Sequence, residues 1–580
     1  MIKKGYCFIT ISVCLLFFIS ISCKRHDESN SGFSLNVRLP SEPENLHPFF
    51  TKSSYGIQIL GLIMLPAAEF DPITLKPSPL LITEIPQAEP VKTGKHAGGN
   101  LYRMKFRPEA TWDNGNPITA KDYLFSIKAA YNPHITAASI TNHFSFLSEI
   151  IIDSADSKSV SIYVDSNYIL SLETITNFNI YPAHVYDPQN VMAGFTLDEL
   201  RDPEKQWTSE QDTLLKLFAA QFESTQFLRE KIEGSGPYKF DSWVTGEYIR
   251  IKRKEMWWGD KLTDRPLLLQ GYPQEITYRI ITDAATAEAA LKAGEIDVLS
   301  EMPPASFMKM KNDQAWTDKF EFFTPPLLQI NYLELNNRDP VLSDPKIRKA
   351  LAYAIDYDGI MNNLLVGLGQ RTIGPIHPQR SYFHKELQPI RQDLAQSLAL
   401  IKEAGWNDTN GNGTPDKVIN GKLEELSITM KITNKEEGQS LASIVRDNAK
   451  KAGFDVQIEV LDPSKFNQDV RQYNFDIVPM RTRPYQSIDD PYTNYYSTSN
   501  GNRSGFRNQQ ADEAISDIRT AASNEERDSN YYEFQEIIYN EQPAIYLYVP
   551  LERIVVSKKY KVISSSRKPG YFENLFQLSG

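Results

Sequence analysis

The chain has 580 residues, 41% of them hydrophobic, and its 62 Lys and Arg against 73 Asp and Glu give a net charge of −11. This length suggests about three or four domains, and the ordinary apolar fraction excludes wholesale disorder and a multi-span membrane protein. The acidic balance argues against a nucleic-acid binder, and 3 cysteines are too few for a disulfide scaffold.

Residues 1–22 have the order of a secretory signal peptide: two lysines, an apolar run over 7–21, and a small residue before Cys23. The run is shorter than the ~20 residues that a membrane-spanning helix needs. The ending Ser-Ile-Ser-Cys resembles the lipobox of bacterial lipoproteins, although Ile21 stands where that signal prefers a small residue. We therefore expect a lipid on Cys23, a polar tether over 23–32, and a protein anchored at the cell envelope, on the periplasmic side or the cell surface. A single-span anchor or an ordinary signal with an incidental cysteine is the alternative.

The first half of the mature chain alternates between strand and helix patterns. Residues 101–106 and 159–164 place apolar side chains at every second position, which predicts half-buried strands. Residues 119–130, with Thr119 as a cap, and residues 214–227 have apolar side chains at helical spacing.

The middle of the chain gives sharper helix boundaries. Asp283 is predicted to cap a helix over 284–293 that Gly294 ends. Asp344 and Pro345 predict the start of a second helix, because a proline in the first turn lacks only an N–H that would have no partner there. A third helix is predicted over 393–404. The sequence therefore predicts mixed α/β units rather than an all-β sandwich.

Eight stretches, in chain order, resemble the large solute-binding proteins of the peptide/nickel ABC-transporter family. They are ENLHP (44–48), YRMKFRPEATWDNGNPITAKD (102–122), YPAHVY (181–186), GSGPYKF (234–240), AALKAGEIDV (289–298), DPKIRKALAYAID (344–356), EAGW (403–406) and EQPAIYL (541–547). The resemblance covers nearly the whole mature chain and identifies the architecture rather than the specificity, because most of these motifs hold the fold and do not touch ligand.

The resemblance implies an α/β fold, a two-lobed periplasmic-binding-protein clamp of the class II type with an extra inserted domain. The domains expected from it are lobe I over 33–275, containing the inserted domain at about 56–180, lobe II over 276–500, and a return to lobe I over 501–580. Ligand is trapped in the cleft when the lobes close about a hinge, and closure requires a ligand with differential affinity for the closed state.

The function implied by the resemblance is that of an extracytoplasmic lipoprotein of an ABC importer. The protein would capture oligopeptides or similar small solutes and deliver them intact to permease and ATPase subunits. It would act as a monomer, with no cofactor and no nucleic-acid partner. A secreted hydrolase, an adhesin or sensor on the same fold, and a family member that binds a non-peptide solute are the alternatives.

The resemblance also suggests two ligand-contact segments. The first follows His47-Pro48, and the second surrounds Asp490-Pro491. Together they give Ser53, Ser54, Tyr485, Gln486, Ser487, Asp489, Asp490 and Tyr492 as candidate ligand-binding residues. Ser487 stands where peptide binders commonly place the Asp that meets the peptide α-amino group, and a hydroxyl cannot supply that charge. Either Asp489 or Asp490 takes over this role, or the ligand is not a free-amino peptide.

One loop, over 408–416, has the oxygen spacing of a calcium site. Asp408, Asn410, Asn412 and Asp416 fall at positions 1, 3, 5 and 9 of such a loop, with glycine at position 6. Ile419 replaces the bidentate Glu expected at position 12. Structural calcium is one interpretation, and a metal-free turn rich in Asn and Gly is the other.

Catalytic motifs are missing from the sequence. The 8 histidines form no H-E-x-x-H pair, and neither a G-x-S-x-G elbow nor a Walker-type phosphate loop occurs. We therefore expect a binding protein and not an enzyme.

Overall fold

The computed structural model describes residues 32–141, 144–165, 168–482, 488–521 and 523–580. The predicted signal peptide, Cys23 and the tether up to residue 31 lie outside these ranges, and so do Tyr485, Gln486 and Ser487. In the described part of the chain, none of the helices combines the length and the apolar character that crossing a membrane requires.

The first lobe is built on a seven-stranded sheet. In sheet order its strands are Phe320–Phe323, Ile554–Ser557, Val298–Leu299, Ser34–Leu39, Glu275–Ile280, Tyr248–Arg253 and Tyr238–Val244. The helices of this lobe are Ser54–Ile63, Ala183–Tyr186, Leu197–Arg201, Ser209–Phe222, Ala284–Ala293, Pro304–Lys311 and Gln314–Thr317. Leu35, Val37 and Leu39 are all buried in the strand Ser34–Leu39. Its parallel pairing with Glu275–Ile280 is held in register because a one-residue slip would turn these side chains to the opposite face of the sheet.

The second lobe is built on a six-stranded sheet. In order its strands are Gly369–Gln370, Ala544–Pro550, Asn331–Leu335, Ile477–Arg481, Ser427–Thr433 and Asp455–Leu461. Its helices are Pro345–Ala354, Tyr357–Gly359, Leu394–Glu403, Glu436–Lys451, Pro463–Arg471, Tyr492–Tyr495, Gln509–Thr520 and Asn524–Glu541. Arg348 fastens two of these helices together, because its buried guanidinium donates to the carbonyl oxygens of Glu541 and Gln542 at 3.1 Å.

A third, four-stranded sheet forms the inserted domain. Its strands, in order, are Ala88–Pro90, Asn100–Lys105, Ser159–Val164 and Leu147–Ile152, and its helices are Ala120–Ala130, Ala138–Thr141 and Ser171–Thr176. Tyr102, Met104, Val160 and Ile162 bury their side chains in a core of its own. These strands and helices all lie within the predicted range of about 56–180.

Two crossing segments join the lobes. One contains Pro326, and the other contains Leu551. They run antiparallel: the N–H of Leu327 donates to the carbonyl of Pro550 at 3.0 Å, and the N–H of Glu552 donates to the carbonyl of Pro325 at 2.9 Å. This paired connection is the hinge that a two-lobed clamp needs.

The predicted lobe boundaries at 275/276 and 500/501 need correction. Strand Glu275–Ile280 pairs with Ser34–Leu39, and Phe320–Phe323 pairs with Ile554–Ser557, so the first lobe continues to residue 323. Strand Ala544–Pro550 pairs with Asn331–Leu335, so the second lobe continues to residue 550. The return to the first lobe therefore begins after the second crossing segment, because strand pairing and not chain order decides which sheet a segment joins.

The predicted elements are confirmed with small shifts at their ends. The helix Ala284–Ala293 begins and ends as expected, the helix Pro345–Ala354 begins as expected, and the Asp283 and Asp344 side chains cap them. Gly294 ends the first of these helices with φ +78°, a left-handed conformation that glycine adopts without strain. The helix predicted over 214–227 is Ser209–Phe222 and starts earlier, because Thr208 forms a capping box with Gln211.

Candidate functional site

A cavity of about 520 Å³ lies where the first lobe, the inserted domain and the first crossing segment meet. The helix Ser54–Ile63 forms one wall through Ser54, Ile57, Gln58 and Gly61. The inserted domain contributes Ser126, Ile140, Phe144, Asn177 and Phe178, the crossing segment contributes Leu327, Leu328 and Gln329, and the C-terminal part contributes Arg567, Lys568, Phe572 and Glu573. This volume is within the ~300–1,000 Å³ that small-ligand pockets occupy. None of the described residues that line it belongs to the sheet or helices of the second lobe, and we call it the hinge cavity.

The predicted contact residues Ser53 and Ser54 lie at the start of this wall. The side-chain oxygen of Ser53 accepts from the N–H of Tyr55 at 3.2 Å and so caps the helix. Ser54 lines the hinge cavity. Ser53 therefore orients the helix, and Ser54 faces the space that a ligand would enter.

The two cations of the cavity wall are both engaged in ion pairs. The guanidinium of Arg567 lies 3.1 Å from the carboxylate of Glu69, which also lines the cavity. The ammonium of Lys568 lies 3.0 Å from the carboxylate of Glu301, and the hydroxyl of Tyr55 donates to the same carboxylate at 2.9 Å. These contacts keep the pKa of Glu301 below its ordinary value even though burial alone would raise it.

Glu573 is the other carboxylate in the wall, and it is only 2% exposed. The side-chain amide of Gln58 donates to it, and burial raises its pKa to about 7. A carboxyl in this condition changes its charge near neutral pH, which is characteristic of groups at functional sites. Local sequence patterns gave no signal for Glu573, which meets Gln58 across 515 positions of the chain.

The predicted residue Asp489 is held by side chains of its own lobe. The hydroxyl of Tyr382 donates to its carboxylate at 2.8 Å, and the guanidinium of Arg380 lies 3.2 Å away. Arg380 is also attracted by Glu173 of the inserted domain. Burial raises the pKa of Asp489 despite these partners.

Asp490 takes part in a contact between the second lobe and the inserted domain. Its carboxylate lies 3.4 Å from Arg519 and accepts from the N–H of Tyr492 at 3.1 Å. The Arg519 guanidinium lies 4.3 Å from the ring centroid of Tyr492 and 5.1 Å from that of Tyr168. Next to Tyr168, Leu170 is buried in the apolar core of the second lobe. Asp490 and Tyr492 therefore hold Arg519 of the second lobe against Tyr168 of the inserted domain.

Thr482, the last described residue before the second predicted contact segment, bonds to a neighbour of the cavity wall. Thr482 exchanges two hydrogen bonds with Ile330, one from its backbone N–H and one to its hydroxyl, each 2.9 Å long. Ile330 directly follows the cavity residue Gln329. The predictions for Tyr485, Gln486 and Ser487, which follow Thr482 in the chain, stay predictions because these residues lie outside the described ranges.

The loop over 408–416 satisfies its polar groups internally. The carboxylate of Asp408 accepts from the backbone N–H groups of Gly411, Asn412 and Gly413 at 2.8 to 3.1 Å. The amide of Asn412 donates to Glu425 at 2.7 Å, and in the described residues no group of three or more His, Cys, Asp or Glu side chains could hold a metal ion. These bonds are those of an Asx-type turn, and calcium at Asp408, Asn410, Asn412 and Asp416 stays a prediction.

Comparison with known proteins adds the family context. The family model described as bacterial extracellular solute-binding proteins, family 5, matches residues 76–505. The oligopeptide-binding protein AppA of Bacillus subtilis is 28% identical over 340 residues, which is 57% of this chain and 59% of that protein. The chain spans about three fifths of the length of the first curated relatives that it matches.

Two solved structures share the fold. The structure of AppA from Bacillus subtilis in complex with a nonapeptide superposes with a TM-score of 0.72 at 20% identity and covers 95% of this chain and 99% of that one. NikZ from Campylobacter jejuni in complex with Ni(L-His) gives a TM-score of 0.68 at 21% identity, with 93% and 97% covered. These matches confirm the predicted periplasmic-binding-protein fold.

Proposed function

The chain belongs to the bacterial extracellular solute-binding proteins of family 5, which bind solutes and are not enzymes, and from this membership we propose that it captures short peptides in the hinge cavity. Closure about the paired crossing segments encloses the peptide, and reopening releases it intact. The observation that carries the proposal is the cavity itself, which combines apolar walls with a few convergent polar groups at the hinge.

The walls suit a short peptide. Ile57, Phe144 and Phe178 offer apolar surface, while Ser54 and Asn177 offer hydrogen-bonding side chains that can pair with a peptide backbone. A volume of about 520 Å³ favours a few residues over a long peptide, although the structure of one relative holds a nonapeptide.

The remaining parts of the proposal concern delivery. A lipid on Cys23 would hold the protein at the outer side of a membrane, beside the permease and ATPase subunits that would import the peptide. Acyl chains give such an anchor without a spanning helix. Radiolabelled palmitate incorporation into wild-type protein but not into Cys23→Ser tests the anchor.

The test of the binding function blocks the cavity. Gly61 lines the cavity, and a Cβ atom added there meets no atom within 4 Å, so the ring of Gly61→Phe should occupy cavity space without a backbone clash. Gly194 is exposed on the first lobe, away from the cavity, with the same free space, so Gly194→Phe is the matched control.

The assay is calorimetry with a panel of dipeptides to nonapeptides, with nickel–histidine as a separate arm. We expect wild-type protein and Gly194→Phe to bind short peptides, and Gly61→Phe to lose at least tenfold in affinity. Binding of nickel–histidine and of no peptide would contradict the proposal, and equal affinity of the two variants would move the site out of this cavity.

A further inference from the structure

Among the charged residues that line the hinge cavity, Glu573 differs from the others in having no ion-pair partner in the described part of the chain. Arg567 is neutralised by Glu69 at 3.1 Å, and Lys568 by Glu301 at 3.0 Å. Glu573 has no such partner. Among the described residues no lysine, arginine or histidine lies within 4.0 Å of its carboxylate, and its side chain is almost completely buried. An ionised carboxylate in such a place is costly unless a cation joins it.

The groups that face Glu573 from every neighbouring element are neutral. Gln58 of the helix Ser54–Ile63 donates to its carboxylate. Tyr278 of the strand Glu275–Ile280 lies beside it, and the phenols of Tyr571 and Tyr238 are near enough to feel its charge. An amide and three phenols orient the carboxylate and leave its charge uncompensated.

We propose that Glu573 binds a cationic group of the ligand, an ammonium or a guanidinium, and so selects positively charged peptides. This inference rests on the proposed peptide-binding function. The ligand supplies the counter-charge that the fold withholds, while the neutral donors Gln58 and Tyr278 orient the carboxylate. The two cations of the wall, Arg567 and Lys568, are already paired with Glu69 and Glu301.

The test compares peptides that differ only in one positive charge. Tripeptides are prepared in matched pairs, with arginine against its neutral isostere citrulline at each position, and with a free against an acetylated N-terminus. Calorimetry then gives the ratio of affinities within each pair. We expect at least one pair to favour its charged member by about 10- to 100-fold, the range of a hydrogen bond to a charged group.

Two variants assign that preference to a residue. Glu573→Gln keeps the shape and removes the charge, so the charged peptide should lose at least tenfold in affinity and its neutral partner less than threefold. Glu334→Gln is the matched control, because Glu334 is likewise buried and has a pKa raised to about 7, but it lies in the second sheet and does not line the cavity. It should keep the preference unchanged.

The pH dependence supplies a second readout. The pKa of Glu573 is about 7, so at pH 6 the carboxyl must lose a proton before it can bind a cation. The preference for arginine over citrulline should therefore fall about tenfold from pH 8 to pH 6. Equal affinities within every pair, or equal losses of both members in Glu573→Gln, would overturn the inference and leave peptide binding intact. Failure of every peptide to bind would overturn the proposed function and this inference with it.

Discussion

Replacing Glu573 with glutamine should stabilise the protein above neutral pH. The pKa of this carboxyl is 4.5 when exposed and is raised to about 7 by burial in the folded protein. The folded state therefore holds a proton that the unfolded state releases, and stability falls as the pH rises from 4.5 through 7. At about 1.36 kcal/mol per pKa unit, keeping the carboxyl costs roughly 3 kcal/mol at pH 8 and about 1 kcal/mol at pH 5. Glutamine avoids this cost, so the gain should be about 2 kcal/mol larger at pH 8.

Thermal unfolding at pH 5 and pH 8, in the absence of peptide, measures this difference. A gain of about 2 kcal/mol in one lobe raises its transition temperature by roughly 4–8 °C, and the transition of the first lobe is the one to follow because the lobes need not unfold together. Glu301→Gln is the control, for which we expect a loss of stability instead of a gain. The pKa of Glu301 is lowered, so its contribution to stability is present above pH 4.5, and its removal should destabilise the protein at pH 8.

If Glu573→Gln and wild type had the same transition temperature at both pH values, the reasoning would be refuted. The carboxyl would then be solvated or already paired. The expected result would instead show that the chain keeps a carboxylate at a cost in stability. Such a trade is typical of residues that serve binding rather than folding.

Three further predictions concern contacts outside the cavity. Asp490→Asn removes the counter-ion 3.4 Å from Arg519. Because burial raises the pKa of Asp490 despite this partner and Arg519 stays partly exposed, the free energy of unfolding of the second lobe in urea titrations should be unchanged or higher at pH 8. A loss of about 1 kcal/mol or more would contradict this expectation. Tyr168→Ala removes a ring under Arg519, and X-ray scattering of ligand-free protein should show a larger radius of gyration as the closed population falls. The lysine of Arg348→Lys cannot reach all four carbonyl oxygens to which the Arg348 guanidinium donates. Differential scanning calorimetry should therefore show a loss of about 2–4 kcal/mol in the free energy of unfolding. An unfolding transition identical to that of wild type would show that these bonds are dispensable.

Local patterns predicted the helices because the information needed for a helix lies within it. Asp283 and Gly294 stand at the two ends of Ala284–Ala293, where capping and a left-handed residue are required. The lobe boundaries failed for the opposite reason. Nothing near Glu275 or Ala544 records that their strands pair with Ser34–Leu39 and Asn331–Leu335, which are hundreds of positions away.

The candidate site was predicted only where it follows a motif. The segment after His47-Pro48 does reach the cavity, through Ser54. The cavity wall at Arg567 and Glu573 was not foreseen, because single charged residues near a chain end are usually solvated and no spacing distinguishes these. Their role depends on burial and on which charges are already paired, and both are properties of the folded chain.

Charge pairing also bears on where a cationic ligand group can bind. Asp489 and Asp490, which the family resemblance put forward for a peptide α-amino group, already lie 3.2 Å from Arg380 and 3.4 Å from Arg519. A ligand ammonium at either carboxylate would have to displace a guanidinium. Both guanidinium groups also interact with the inserted domain, through Glu173 and Tyr168, so displacing them would weaken the contact between that domain and the second lobe. At Glu573 the ammonium displaces no cation, because no lysine, arginine or histidine of the described residues is paired with this carboxylate.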